Sequence, residues 1–84
     1  MKLIKIGALW CPACLIVNKQ LKKINTDIEI INYDYDIDEE EVKKYNVGKT
    51  LPVLILLDGN VEVKRLIGEV SKEEIDEMIK EVIR

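Results

Sequence analysis

The 84-residue chain has no histidine and only two cysteines, two prolines and one tryptophan. So few thiols and no imidazole leave one copy short of zinc ligands; such a site would need sharing between subunits or an external thiol. Charge of one sign is also missing. Thirteen Lys and Arg against sixteen Asp and Glu give a net charge of −3, with both signs interspersed. There is no basic stripe for nucleic acid and no polybasic segment for an anionic membrane. No apolar run is long enough to span a bilayer, and Met1-Lys2-Leu3-Ile4-Lys5-Ile6 is too short and too charged for a signal peptide. No repeat, linker or low-complexity segment divides the chain, so residues 1–84 are expected to form a single domain. Gln, Met and Cys are scarce while Ile, Lys and Glu are abundant, a bias shared with thermophile proteins.

What is present is a closely spaced dithiol. The two cysteines stand in the run Trp10-Cys11-Pro12-Ala13-Cys14, after a short apolar stretch and before a helical pattern. A Cys-x-x-Cys pair in that setting reads as a reactive dithiol. A structural disulfide is a weak alternative, because closing a four-residue loop stabilises by roughly 1.9 kcal/mol against ~3 for fifteen residues. Cytoplasmic location is expected, and there disulfides are mostly transient and catalytic. Two inert core cysteines would be a coincidence beside Trp10 and Pro12.

The chain punctuates itself clearly. Lys2 to Leu9 reads as a strand, and Pro12 to about Ile24 as a helix with Cys14, Val17, Leu21 and Ile24 on one face. Pro12 suits the first helical position. Ile28 to about Tyr35 is a second strand. Asp38 and Glu41 have capping-box spacing for a short helix, about Glu39 to Tyr45. Val53 to Leu57 is uninterrupted and apolar, as in a central strand covered on both faces. Asp58-Gly59 signals a hairpin, and Val61 to Ile67 returns. A last helix opens with a Ser71–Glu74 capping box and a Val70–Ile75 hydrophobic staple. It continues with Met78, Ile79, Val82 and Ile83 on one face. The order is β-α-β-α-β-β-α. The first β-α-β unit requires a parallel pair, and the hairpin adds an antiparallel one. An α/β fold with a four-stranded mixed sheet and helices on both faces follows.

This order, with Trp-Cys-x-x-Cys after the first strand and a lone proline before the third, resembles the thioredoxin superfamily over nearly the whole chain. The resemblance implies the thioredoxin fold. It places Trp10-Cys11-Pro12-Ala13-Cys14 as the active-site motif, Leu51-Pro52 as a cis-proline segment, and Gly68 as a glycine kept near the active site. Leu56-Leu57-Asp58-Gly59-Asn60 through Ser71 is similar to thioredoxin, while the compact N-terminus is similar to glutaredoxin. Pro12-Ala13 differs from the family's usual residues between the cysteines. A buried aspartate expected six residues before the first cysteine is replaced by Lys5, so no acidic base is assigned. Lys5 either snorkels to the surface, the simpler reading, or approaches the dithiol. Gly68-Glu69-Val70-Ser71 matches the glutaredoxin glutathione pattern poorly.

A chemical expectation follows. Cys11, at the start of a helix whose first N–H groups are unpaired, is the exposed nucleophile, with its thiolate favoured by the helix dipole. Cys14, one turn further in and partly buried, resolves the mixed disulfide. Trp10 offers an apolar platform; Pro12 and Ala13 tune the potential; Leu51 and Pro52 leave backbone groups for an extended substrate; Gly68 lies close by. The acidic run Asp34 to Glu41 reads as a solvated helix start. The protein is expected to be a monomeric cytoplasmic reductase of protein disulfides without bound cofactor. It would be recharged by a flavoprotein of the thioredoxin-reductase kind or, less favoured, by glutathione. The competing readings are a glutathione-dependent glutaredoxin and a non-enzymatic metal or iron–sulfur module.

Overall fold

A computed structural model describes residues 1–82. Its elements are β1 (Lys2–Gly7), α1 (Pro12–Lys22), β2 (Glu29–Asp34), α2 (Glu39–Lys43), β3 (Val53–Asp58), β4 (Val61–Ile67) and α3 (Lys72–Val82). The expected order holds. The four strands form one mixed sheet in the order β2-β1-β3-β4. β1 and β2 run parallel, as a helical crossover demands, and β1–β3 and β3–β4 are antiparallel. This is the thioredoxin fold.

The central strands explain the apolar runs. β3 is buried along its first four residues, as its sequence requires, and β1 is buried from Leu3 to Gly7. Their side chains alternate between two cores. Leu3, Leu54 and Leu56 pack with Val17 and Leu21 of α1 and with Ile75, Met78 and Ile79 of α3. Ile4, Ile6, Val53 and Ile55 pack with Val42 of α2 and with Cys11, Cys14 and Leu51. The dithiol thus belongs to the core on the α2 side.

Several boundaries move. β1 ends at Gly7 rather than Leu9, because Leu9 and Trp10 turn the chain into α1. α1 stops at Lys22, two residues before Ile24, with Lys23 as its C-cap. α2 has only five residues, and Asp38 makes no capping bond to it. Its Oδ2 accepts from the Asp34 N–H at 2.7 Å instead, because the chain folds back between β2 and α2. The hairpin turns on Gly59-Asn60 between paired Asp58 and Val61, with Gly59 at φ +63° supplying the left-handed conformation. The Ser71 cap forms, its Oγ accepting the Glu74 N–H at 3.1 Å. The staple residues Val70 and Ile75 are both buried in one core. Ile83 of the expected helix face lies outside the described residues, as does the side chain of Val82. Among the described residues no helix is long and apolar enough to cross a membrane.

Candidate functional site

Cys11 is the N-cap of α1. Its backbone is extended (φ −98°, ψ 110°), Pro12 opens the helix, and its Sγ accepts the Cys14 N–H at 3.3 Å. Sulfur here takes the place of the oxygen that usually satisfies an orphan N–H at a helix start. The three-residue spacing that makes this bond also brings Cys14 one turn along, beside Cys11. Both thiols are free.

The expectation of an exposed Cys11 is corrected: only 6 % of it is accessible, and 1 % of Cys14. The cause is the loop before β3. Leu51–Pro52 is a cis peptide, and Leu51 packs on Cys11, whose thiol donates to the Leu51 carbonyl at 3.7 Å. The loop's backbone is also less free than expected. The Gly68 N–H donates to the Pro52 carbonyl at 2.8 Å, and Gly68 holds φ +87°, where a side chain would be strained. Gly68 thus fastens the proline loop to the end of β4. Pro12 and Ala13 form the first turn of α1 between the thiols, Ala13 half-buried against the α2-side core.

Trp10 is 63 % accessible, yet its ring is not loose. Its Nε1 donates to Asp36 Oδ2 at 2.6 Å. Asp36 is held in turn, because Asp34 Oδ1 accepts the N–H groups of Asp36 and Ile37 at 2.8 and 3.0 Å. The acidic run is therefore more than a solvated helix start. Its aspartates lock a turn that steadies the indole. Sequence reasoning missed Asp36, since nothing in the chain marks a partner 26 residues from Trp10. Leu9, Leu15 and Ile37 are exposed as well.

Electrostatics differ sharply around the second thiol. Burial pushes Cys14 up from the ordinary 9.0 to about 11, the neighbouring Cys11 adds to the rise, and the Ala8 backbone and Lys5 oppose it. Lys5 is 7 % accessible and lines the cleft between α1 and β2, with its amine on the side of the dithiol. It follows Leu3 on the inward face of β1, and burial lowers its pKa against the opposing pull of Cys14, Cys11 and Asp34. Gly7 makes room. A Cβ there would stand 3.2 Å from Cys14 Sγ and 3.3 Å from Lys5 Nζ. A glycine inside a strand signals close approach of other groups, and Gly7 carried that signal in the sequence. Among the described residues no cluster of three or more potential metal ligands occurs.

The family model described as Thioredoxin matches residues 1–81. Thioredoxin of Listeria monocytogenes is 32% identical over 80 residues, covering 90% of this chain and 77% of its own. A SPbeta prophage-derived thioredoxin-like protein, YosR, of Bacillus subtilis is 34% identical over 82 residues, covering 98% of this chain and 99% of its own. Among solved structures, thioredoxin of Schistosoma mansoni superimposes with a TM-score of 0.84 at 28% identity, over 98% of this chain and 78% of that one. With its paired thiols at the start of α1, the chain belongs to the thioredoxin family and is a thioredoxin-like thiol–disulfide oxidoreductase.

Proposed function

We propose that the protein reduces disulfides of other proteins through a reversible Cys11–Cys14 disulfide. The observation that carries this reading is the capping bond itself, 3.3 Å from the Cys14 N–H to Cys11 Sγ. An N–H aimed at sulfur stabilises a thiolate more than a thiol, because the charged acceptor makes the stronger bond. In the cycle, the Cys11 thiolate attacks one sulfur of a substrate disulfide, forming a mixed disulfide and expelling the first substrate thiolate. Cys14 then loses its proton and attacks Cys11 Sγ. The bond from Cys11 to substrate breaks, the Cys11–Cys14 bond forms, and the second thiolate leaves. The substrate gains two electrons and the dithiol loses two.

Trp10 lies exposed beside Cys11, and the buried Leu51–Pro52 loop covers that cysteine, with Pro12 and Ala13 between the thiols and Gly68 bracing the proline loop. An extended, partly apolar segment suits this surface. A flavoprotein of the thioredoxin-reductase kind restores the dithiol, in keeping with the thioredoxin relatives; glutathione is the less favoured donor. The protein works as a single-domain monomer in the cytoplasm, a compartment where a dithiol cycles. Reduction of insulin disulfides with dithiothreitol as donor is the test. Wild-type protein accelerates insulin precipitation and Cys11→Ser does not; full activity in that variant rejects the mechanism.

A further inference from the structure

Away from the dithiol, an opening lies between α1 and the edge strand β2. Lys5 of β1 stands in register with Asn32 of β2, so both side chains leave the same face of the sheet. That face is the one α1 covers, since Leu3 on it packs with Val17 and Leu21. Across from them on α1 are Asn18 and Lys22, one turn apart on a single side of the helix. These four residues line an opening of about 610 Å³, together with the apolar Leu21 and Ile30. No carboxylate lines it. None of the four side chains has a hydrogen bond or ion pair to a described residue. Lys5 is the one charged residue buried among the described residues, and a buried ammonium needs an opposite charge. Its amine is nonetheless not sealed in, because no unpartnered buried side-chain nitrogen or oxygen occurs among the described residues.

We propose that this opening binds a phosphate group, free or at the end of a small ester. Two ammonium groups and two carboxamides supply donors from opposite walls, and a tetrahedral oxyanion presents oxygens to both. A planar carboxylate has only two oxygens to share among them. The charge of a phosphate monoester answers two lysines that the protein itself leaves without a partner. The volume lies within the range of small-molecule sites and exceeds what one phosphate fills. Leu21 and Ile30 therefore receive the carbon part of an ester. A smaller opening nearer the thiols shares Lys5, Asn18 and Asn32 and adds Asp34 and Asp38. Both acids are engaged in the turn after β2. Asp34 Oδ1 accepts the N–H groups of Asp36 and Ile37, and Asp38 Oδ2 accepts that of Asp34. They keep negative charge at the dithiol end and leave the larger opening as the way in for an anion.

The test follows the carboxamide N–H signals of Asn18 and Asn32 by NMR in nitrogen-labelled protein near neutral pH. Inorganic phosphate and glycerol phosphate are titrated separately, with chloride holding the ionic strength constant. Both sets of signals are expected to shift and to saturate. Equal Kd values for the two ligands mark the free ion as the occupant; tighter glycerol phosphate marks the ester. Lys22→Gln, at an exposed position, should weaken binding about tenfold, the loss of one charge-assisted hydrogen bond. Lys5→Met should abolish saturation. Shifts that are absent, or that grow in proportion to concentration without levelling, overturn the proposal. So does a wild-type Kd in Lys22→Gln, which decides the matter alone should Lys5→Met not fold.

Discussion

At Cys14, burial and reactivity pull in opposite directions. The thiol holds its proton in the folded state up to about pH 11, against 9.0 ordinarily. The native state therefore binds that proton more tightly than the unfolded chain. Its contribution to stability is complete below the ordinary value of 9.0 and is lost as pH rises through about 11. Urea midpoints of the reduced protein should fall across that window relative to Cys14→Ala, and parallel curves for the two would contradict the shift. Lys5 works with the opposite sign. Its pKa is lowered on folding, so its charge opposes the native state fully below the lowered value, and the penalty fades as pH approaches the ordinary 10.5. Lys5→Met should then raise neutral-pH stability by about 1 kcal/mol, since an apolar side chain of similar length avoids burying the ion. Thermal unfolding measures this, and a lowered midpoint counts against it.

The elements divide by how much of their stability is local. α3 carries its own start signal, and the signal works: Ser71 Oγ receives the Glu74 N–H at 3.1 Å. Ser71→Ala should cost about 1 kcal/mol by urea unfolding and leave thiol exchange unchanged. α2 had an equally good box on paper, but with five residues it holds its place through Val42 in the core and not through a cap. Asp38 was recruited to the turn after β2, and that turn is what positions Asp36 under the Trp10 indole. Asp36→Ala should release the ring. Its fluorescence anisotropy should drop, and KM for insulin should rise with kcat little changed. An unchanged KM would remove Trp10 from substrate contact. β4 is an edge strand, with Arg65 pairing Glu62 at 2.7 Å and donating to the Tyr45 carbonyl at 2.6 Å. That clamp ties the sheet edge to the end of α2.

Across the whole molecule, the packing falls into two clusters, one without thiols and one that holds both. The core between the sheet and α1–α3 holds Leu3, Ile75 and Met78, all at most 1 % accessible, and contains neither thiol. The other core includes both cysteines, Leu51 and Val42. Emptying the first should therefore cost stability without touching the chemistry. Ile75→Ala should lose about 2–5 kcal/mol in urea unfolding. Its rate of insulin-disulfide reduction, measured well below the unfolding midpoint, should match wild type. A large loss in that rate would show the two clusters to be coupled. The reactive pair sits where β1 ends, α1 begins, and the proline loop and Gly68 converge. Three separate stretches of chain meet at one sulfur.

Element order, the parallel first pair, the apolar central strand, the α3 cap and the dithiol at a helix start are all legible in the amino-acid order. Each of these is local: a period, a cap or a spacing within a few residues decides it, and tertiary contacts had only to agree. Tertiary structure alone decided the burial of Cys11 under Leu51, the use of Asp38 away from its helix, the Trp10–Asp36 bond and the meeting of Lys5 with Cys14 across Gly7. Those depend on which distant segments the sheet brings together. No periodicity encodes a contact spanning tens of residues, and a lysine in a strand looks the same whether its amine ends in water or against sulfur.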